Sequence, residues 1–192
     1  MPRSERRAKQ LAERKLQKKG RGLAGEEAFA WMAGLLPLPA GAVMEVGTEK
    51  RASLALQARG WRVVAAETGA VLAPGVFSGS PVDAVTCWLL DLRGAKPEVT
   101  AKLDAMGLRT PDERRLAVQT LVYRLADRVL RPGGVLQVVD RMLEPFDESL
   151  ATGMMRLQRA QAKGTTLEFA SIDARPDAAG ALVSVRSRKA RL

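Results

Sequence analysis

The sequence predicts an α/β fold: a mostly parallel, doubly wound sheet that ends in an antiparallel β-hairpin. From Ala42 onward, short apolar runs alternate with helix-like segments, which is typical of strands joined by helical crossovers. These runs are apolar throughout instead of alternating with polar residues, so we expect helices on both faces of the sheet. The last two strand-like runs are separated only by the turn at residues 177–178, and so short a connection permits only antiparallel pairing.

The chain begins with a strongly basic segment. Residues 3–19 contain no Gly or Pro and are rich in helix formers, which predicts a helix that ends at the Gly-Arg-Gly of residues 20–22. Nine Lys or Arg and two Glu lie between Arg3 and Arg21, a net charge of +7, which leaves only +3 of the formal +10 to the rest of the chain. We therefore divide the chain into a basic helical arm, residues 1–22, and a single domain, residues 23–192.

The elements of the domain follow from apolar runs and helix-boundary residues. A first helix is expected over about 25–36. The segment 111–134 predicts a long helix, because Pro111 suits the first helical position and Thr110 suits the N-cap. The predicted strands are 42–46, 62–67, 82–90 and 135–140, the further helices are 49–60 and about 146–162, and the hairpin strands are 165–176 and 179–189.

The residue inventory excludes several kinds of chemistry. The chain has no His, so Ser-His-Asp and Cys-His catalysis are excluded, and with a single Cys no structural zinc site is expected. Any general base must be Asp, Glu, Lys or the single tyrosine, Tyr123. There is no run of eighteen apolar residues and no secretory signal, and Cys87 has no disulfide partner, so we expect a cytoplasmic protein without membrane contact.

Four stretches together resemble the class I S-adenosylmethionine (SAM)-dependent methyltransferases. They are VMEVGT at 43–48, WRVVAAE at 61–67, VDAVTCWLL at 82–90 and ADRVLRPGGVLQVVDR at 126–141. The last is the most specific, because the fifth strand of this family is very often preceded by a helix that ends in Pro-Gly-Gly. The resemblance covers about residues 25–190. It implies the Rossmann-like methyltransferase fold, with the hairpin as its sixth and seventh strands, and SAM as the cofactor.

The resemblance also implies a set of cofactor-binding residues. Glu67 would bind the ribose hydroxyls, Val76 and Phe77 would border the adenine, and Trp88 would wall the acceptor pocket or pack beside the sulfonium. The segment 68–81 is too short for a full helix and the third strand of the family, so we expect a reduced crossover there. The full set of candidates is Glu45, Gly47, Thr48, Glu67, Val76, Phe77, Thr86, Cys87 and Trp88.

The turn after the first predicted strand discriminates between cofactors. In an open parallel sheet, ligands bind beyond the carboxyl ends of the strands, where this turn lies. A dinucleotide site expects G-x-G-x-x-G, but the turn reads Gly-Thr-Glu-Lys-Arg-Ala, so a nucleotide-dependent oxidoreductase is disfavoured. Methyltransferases of this family commonly have three glycines where this chain has Gly47, Glu49 and Arg51. This departure leaves a second function open: a catalytically inactive methyltransferase-like module that binds RNA or protein.

For an active enzyme we expect direct in-line methyl transfer to an O or N acceptor, in which the protein mainly aligns the reactants and excludes water. Asp91, Asp140 and Tyr123 are candidates to take a proton. Cys87 is interpreted as a small buried hydrophobe and not as a nucleophile. The acceptor, a small metabolite or RNA, stays open, as does the oligomeric state. The segment Arg3–Arg21 could bind RNA phosphates, cover the acceptor site or be solvated.

Overall fold

The computed structural model describes residues 25–47, 50–72, 79–90, 92, 95–143, 146–177 and 180–191. In these ranges six strands form one sheet that is flanked by helices. The strands are β1 (Ala42–Val46), β2 (Arg62–Ala66), β3 (Val82–Trp88), β4 (Leu130–Met142), β5 (Leu167–Asp177) and β6 (Gly180–Lys189). The helices are α1 (Glu26–Gly34), α2 (Lys50–Ala58), α3 (Thr68–Val71), α4 (Pro97–Ala105), α5 (Pro111–Val129) and α6 (Glu148–Gln161).

The strand order is β2-β1-β3-β4-β6-β5. The first four strands in this order are parallel to one another, whereas β6 is antiparallel to both β4 and β5. The prediction of a mostly parallel sheet that ends in an antiparallel hairpin is therefore confirmed. The reduced crossover stays a prediction, because residues 73–78 lie outside the described residues. Between β2 and β3 the described chain contains only the four-residue α3 and no further strand, so β2 lies at the edge of the sheet.

The start of α5 agrees with the prediction from its cap residues. The hydroxyl of Thr110 accepts a hydrogen bond from the Glu113 N–H at 3.2 Å, and the Glu113 carboxylate accepts one from the Thr110 N–H at 2.8 Å. This reciprocal pair satisfies two backbone donors that the helix itself leaves without partners.

The end of α5 differs from the prediction. The helix stops at Val129 instead of continuing to 134, and Leu130 already belongs to β4. Leu130 pairs with Val82 of β3, and residues 131–134 form an irregularity before the ladder resumes. Gly134 allows the close approach there, since a Cβ at this position would lie 3.0 Å from a backbone oxygen of β3. Pairing with β3 therefore decides where the helix ends.

Apolar side chains cover both faces of the sheet. On one face α1 and α2 pack over the strands in a cluster that includes Met32, Leu56 and Val43. On the other face α3, α4 and α5 pack in a cluster that includes Val85 and Val122. Among the helices described here, none has the length and apolar character needed to cross a membrane.

Side chains of the hairpin hold α1 at both ends. At its first turn, Arg175 of β5 donates to the Glu27 backbone oxygen at 2.8 Å. Just past its last turn, Arg186 of β6 donates to the Leu35 backbone oxygen at 2.5 Å. In the sheet register, Arg175 lies opposite Leu182, which pairs with β4 near its carboxyl end. Arg186 pairs with β4 near its middle.

Candidate functional site

The carboxyl ends of β1, β2 and β3 meet at one edge of the sheet, which we call the carboxyl edge. The parallel register places Val46 beside Ala66, and the residues that follow them are Gly47 and Glu67. The Gly47 N–H donates to the Ala66 backbone oxygen at 3.1 Å, which holds the turn after β1 against the end of β2. Two of the predicted cofactor-binding residues are thus neighbours at this edge.

Gly47 has a backbone conformation that favours glycine. Its φ is +141°, and a Cβ built on it would meet no atom of the described residues within 4 Å. The conformation therefore demands a glycine, although the space beside it is open. An open, bare backbone at the end of the first parallel strand is what a ligand at this edge needs for close approach.

Gly47→Ala is expected to lower the free energy of unfolding by about 1–3 kcal/mol, because an L side chain is strained at this φ. The added methyl group meets no atom within the part of the chain that the structure describes, so the expected cost is conformational. Urea unfolding measures it. Gly153→Ala is the matched control: Gly153 lies within α6, also with open space around it, and should gain about 0.5–1 kcal/mol. Equal stability of the Gly47 variant and the parent would contradict the conclusion that the backbone conformation at this position demands a glycine.

Glu67 lies at the N-cap of α3, and its side chain is 59% exposed. It forms an ion pair with Lys96, the N-cap residue of α4, at 2.6 Å between Nζ and Oε2. The hydrogen bond and the charge of this carboxylate raise the pKa of Lys96. Sequence reasoning missed Lys96, because only the fold brings it to Glu67 from 29 residues along the chain.

A second feature of this edge that the sequence did not indicate is Leu89, the residue after β3. Its φ is +51°, and it is the one non-glycine residue with positive φ in the described chain. Its N–H donates to the Val139 backbone oxygen at 2.8 Å, which ties the turn to β4. Leucine in this region costs roughly 1–2 kcal/mol, and such strain concentrates at functional sites.

Three predicted cofactor contacts lie instead beneath α1 and α2. Glu45 and Thr86 are register partners on β1 and β3, and both are buried. The Glu45 carboxylate accepts a hydrogen bond from the Ser53 hydroxyl of α2. Trp88 is 5% exposed and packs against Phe29 of α1, with ring centroids 6.4 Å apart. The structure places these three side chains in the core and not at the open edge.

The opposite face holds three other candidates, and all three are buried. Cys87 is completely buried; burial, and secondarily the charge of Asp140, raises the pKa of its thiol, so it is a core residue. Burial also raises the pKa of Tyr123, which hydrogen-bonds with Ser187 inside the core, so this phenol is unsuited to take a proton. Cys87 of β3 and Tyr123 of α5 both pack in the apolar cluster between that helix and the sheet, which encloses them.

Asp140, the third candidate on that face, is held by α5. Its carboxylate pairs with Arg115 at 2.8 Å and accepts a hydrogen bond from the Gln119 amide at 2.8 Å. It is 5% exposed. These contacts turn the Asp140 carboxylate toward α5. The sequence predicted Asp140 as a base from its position at a strand end, but that position alone does not make it one.

Thr48, Val76, Phe77 and Asp91 lie outside the described residues, as does the arm of residues 1–22. Within the described ranges, no group of three or more acidic or cysteine side chains is arranged to hold a metal ion. Six of the nine candidate cofactor contacts lie among the described residues, and of these six the structure brings Gly47 and Glu67 together at an accessible edge.

The strand order, the parallel strands and the closing antiparallel hairpin define the class I methyltransferase fold. No protein-family model matches the chain, and no curated protein is significantly similar to it.

The similar solved structures are mostly SAM-dependent methyltransferases. One from Methanosarcina mazei has 12% identity and a TM-score of 0.47, over 82% of this chain and 96% of that one. A 16S rRNA (adenine(1408)-N(1))-methyltransferase from Catenulisporales acidiphilia has 12% identity and a TM-score of 0.48, over 88% and 92%. The N-methyltransferase NodS from Bradyrhizobium japonicum has 12% identity and a TM-score of 0.41, over 86% and 94%. Likeness at this level says nothing about substrate or activity.

Proposed function

We propose that the chain binds SAM at the carboxyl edge and transfers its methyl group to an O or N acceptor. The observation that carries this proposal is the pairing of Gly47 with Glu67. A bare backbone turn and an exposed carboxylate stand side by side at the ends of adjacent parallel strands. The turn would admit the cofactor close to the backbone, and the carboxylate would accept hydrogen bonds from its ribose hydroxyls.

The bound cofactor would supply an electrophilic methyl group, and the protein would contribute alignment and the exclusion of water. Tyr123 and Cys87 are enclosed and protonated, and Asp140 is paired with Arg115, so none of these three is suited to act as a base. Asp91, which lies outside the described residues, stays a candidate for that role. The acceptor would be a small molecule or RNA.

A second candidate function is a methyltransferase-like module without activity. It is favoured by the ion pair with Lys96, which occupies one oxygen of Glu67, and by the core positions of Glu45, Thr86 and Trp88. In this case the fold would serve as a scaffold that binds RNA or protein, and the carboxyl edge would take no cofactor.

Calorimetric titration with SAM and with S-adenosylhomocysteine separates the two candidates. Micromolar binding, followed by transfer of radiolabelled methyl from SAM to total RNA or to a metabolite extract, would support the enzyme and identify the acceptor class. No binding up to millimolar ligand, in a protein shown to be folded by circular dichroism, would contradict the proposed activity. The inactive binding module would then be the remaining candidate function.

Lys96→Ala is expected to strengthen S-adenosylhomocysteine binding by up to about fivefold, because it frees the Glu67 oxygen now held at 2.6 Å. The gain is small because both side chains are exposed, and it should shrink as salt screens the ion pair. Calorimetry at low and moderate salt measures it. Lys102→Ala on the same helix, also exposed, should leave the affinity unchanged. A marked loss of affinity in Lys96→Ala would mean that the lysine positions Glu67 instead of competing for it.

A further inference from the structure

A cavity of about 460 Å³ lies between α3, α5 and the turn that joins α6 to β5. Its volume is within the range of small-molecule sites. The wall combines apolar side chains, Val71, Leu72 and Leu121, with two arginines, Arg124 and Arg128. None of its lining residues belongs to the candidate cofactor site at the carboxyl edge, so the cavity is independent of the function proposed above.

The two arginines are placed to share one anion. Arg124 and Arg128 are one helical turn apart on α5, so their side chains leave the helix on the same side. Both are exposed, and within the described residues neither takes part in an ion pair or a side-chain hydrogen bond. Asp127, the acid in the wall, is already engaged, since its Oδ1 accepts from the Thr166 N–H at 2.9 Å and from the Thr166 hydroxyl at 2.5 Å. The cavity therefore offers two guanidinium groups to a ligand.

We propose that this cavity binds a nucleotide, with its phosphate on Arg124 and Arg128 and its sugar and base against the apolar wall. A guanidinium group presents its N–H donors in a planar fork that matches two phosphate oxygens. The apolar side chains beside the arginines form a surface that a sugar and base could cover. A free inorganic anion would leave this surface exposed to water. The nucleotide could be free or be one unit of an RNA strand, and the test distinguishes these sources.

The test titrates the full chain with uridine 5′-monophosphate and with single-stranded oligouridine. Uridine is used because an adenine nucleotide could also enter a SAM site. The double variant Arg124→Gln/Arg128→Gln removes the proposed phosphate contacts. Its matched control is Arg156→Gln/Arg159→Gln, which removes the same charge from two exposed positions on α6, outside the cavity. We expect about tenfold weaker binding or more in the first variant and a change within about twofold in the control.

Binding of the monophosphate with this dependence on Arg124 and Arg128 would make the ligand a free nucleotide. The same dependence with oligouridine alone would make the ligand one unit of an RNA strand. Any contribution of the basic arm to RNA affinity would then be equal in all variants. The proposal is overturned if neither probe binds, or if the two double variants weaken binding equally, as a general charge effect would. Glu67→Ala should leave uridine binding unchanged, which separates this site from the carboxyl edge.

Discussion

Replacing Glu67 by alanine is expected to weaken S-adenosylhomocysteine binding by about tenfold to a hundredfold, the range for loss of hydrogen bonds to a charged acceptor. The carboxylate is the exposed acid at the end of β2, beside the Gly47 turn. It would accept hydrogen bonds from both ribose hydroxyls. Because the side chain is 59% exposed and its ion pair with Lys96 lies at the surface, folding should hardly change. Calorimetry measures the affinity, and thermal unfolding without ligand measures the stability.

Glu98→Ala is the matched control for this variant. Glu98 is an exposed acid in the first turn of α4, and its charge also acts on Lys96. It does not follow a strand, so its removal should leave the affinity unchanged. If the two variants bind S-adenosylhomocysteine equally well, Glu67 is a surface acid at a strand end, and the carboxyl edge must hold a ligand by other groups or hold none.

Gln137→Leu is expected to lower the free energy of unfolding by about 2–4 kcal/mol, since it leaves several buried polar groups without partners. Gln137 lies on β4, is completely buried and makes three hydrogen bonds beneath α1. Its oxygen accepts from the Trp88 indole N–H at 3.0 Å, and its amide donates to the Met32 backbone oxygen at 3.1 Å and to the Ser184 hydroxyl at 3.0 Å. The side chain thus links β3, β6 and the last turn of α1.

The neighbouring strand provides a control for the Gln137 variant. Thr86 is the register partner of Gln137 on β3 and is equally buried, but its hydroxyl oxygen has no hydrogen-bond partner among the described residues. Thr86→Val replaces only that hydroxyl by a methyl group of similar size, so the protein should be equally or more stable. Urea unfolding measures both variants. A comparable loss from both would mean that packing, and not the hydrogen bonds of Gln137, accounts for the effect.

Much of the fold could be predicted from local patterns. Apolar runs between helix-like segments identified the parallel sheet, the short turn at 177–178 identified the hairpin, and Pro111 with Thr110 identified the start of α5. These features depend on residues close together in the chain. The candidate site was predicted less completely, because a position at a strand end does not say which face of the sheet a side chain occupies or which helix covers it.

Trp88 and Lys96 illustrate that difference. The sequence places Trp88 at the end of a strand, but whether it borders a pocket depends on Phe29 of α1, which lies far away in the chain and packs against it. In the same way, Glu67 is recognisable as an acid after β2, whereas its partner Lys96 becomes adjacent only when α4 is folded against that edge. The same holds for the end of α5, where pairing of Leu130 with Val82 replaces the last helical turns by strand.

The sequence by itself determined the α/β class, the order of the strands and the glycine turn after β1, since each depends on the periodicity or backbone freedom of a few consecutive residues. It did not predict α4. Only the tertiary structure decided which strand-end residues are accessible. Glu45 and Thr86 lie under α1 and α2, Cys87 under α5, and Glu67 in the open with Lys96. The physical reason is that successive side chains of a strand point to opposite faces, and what covers each face is set by contacts between distant segments.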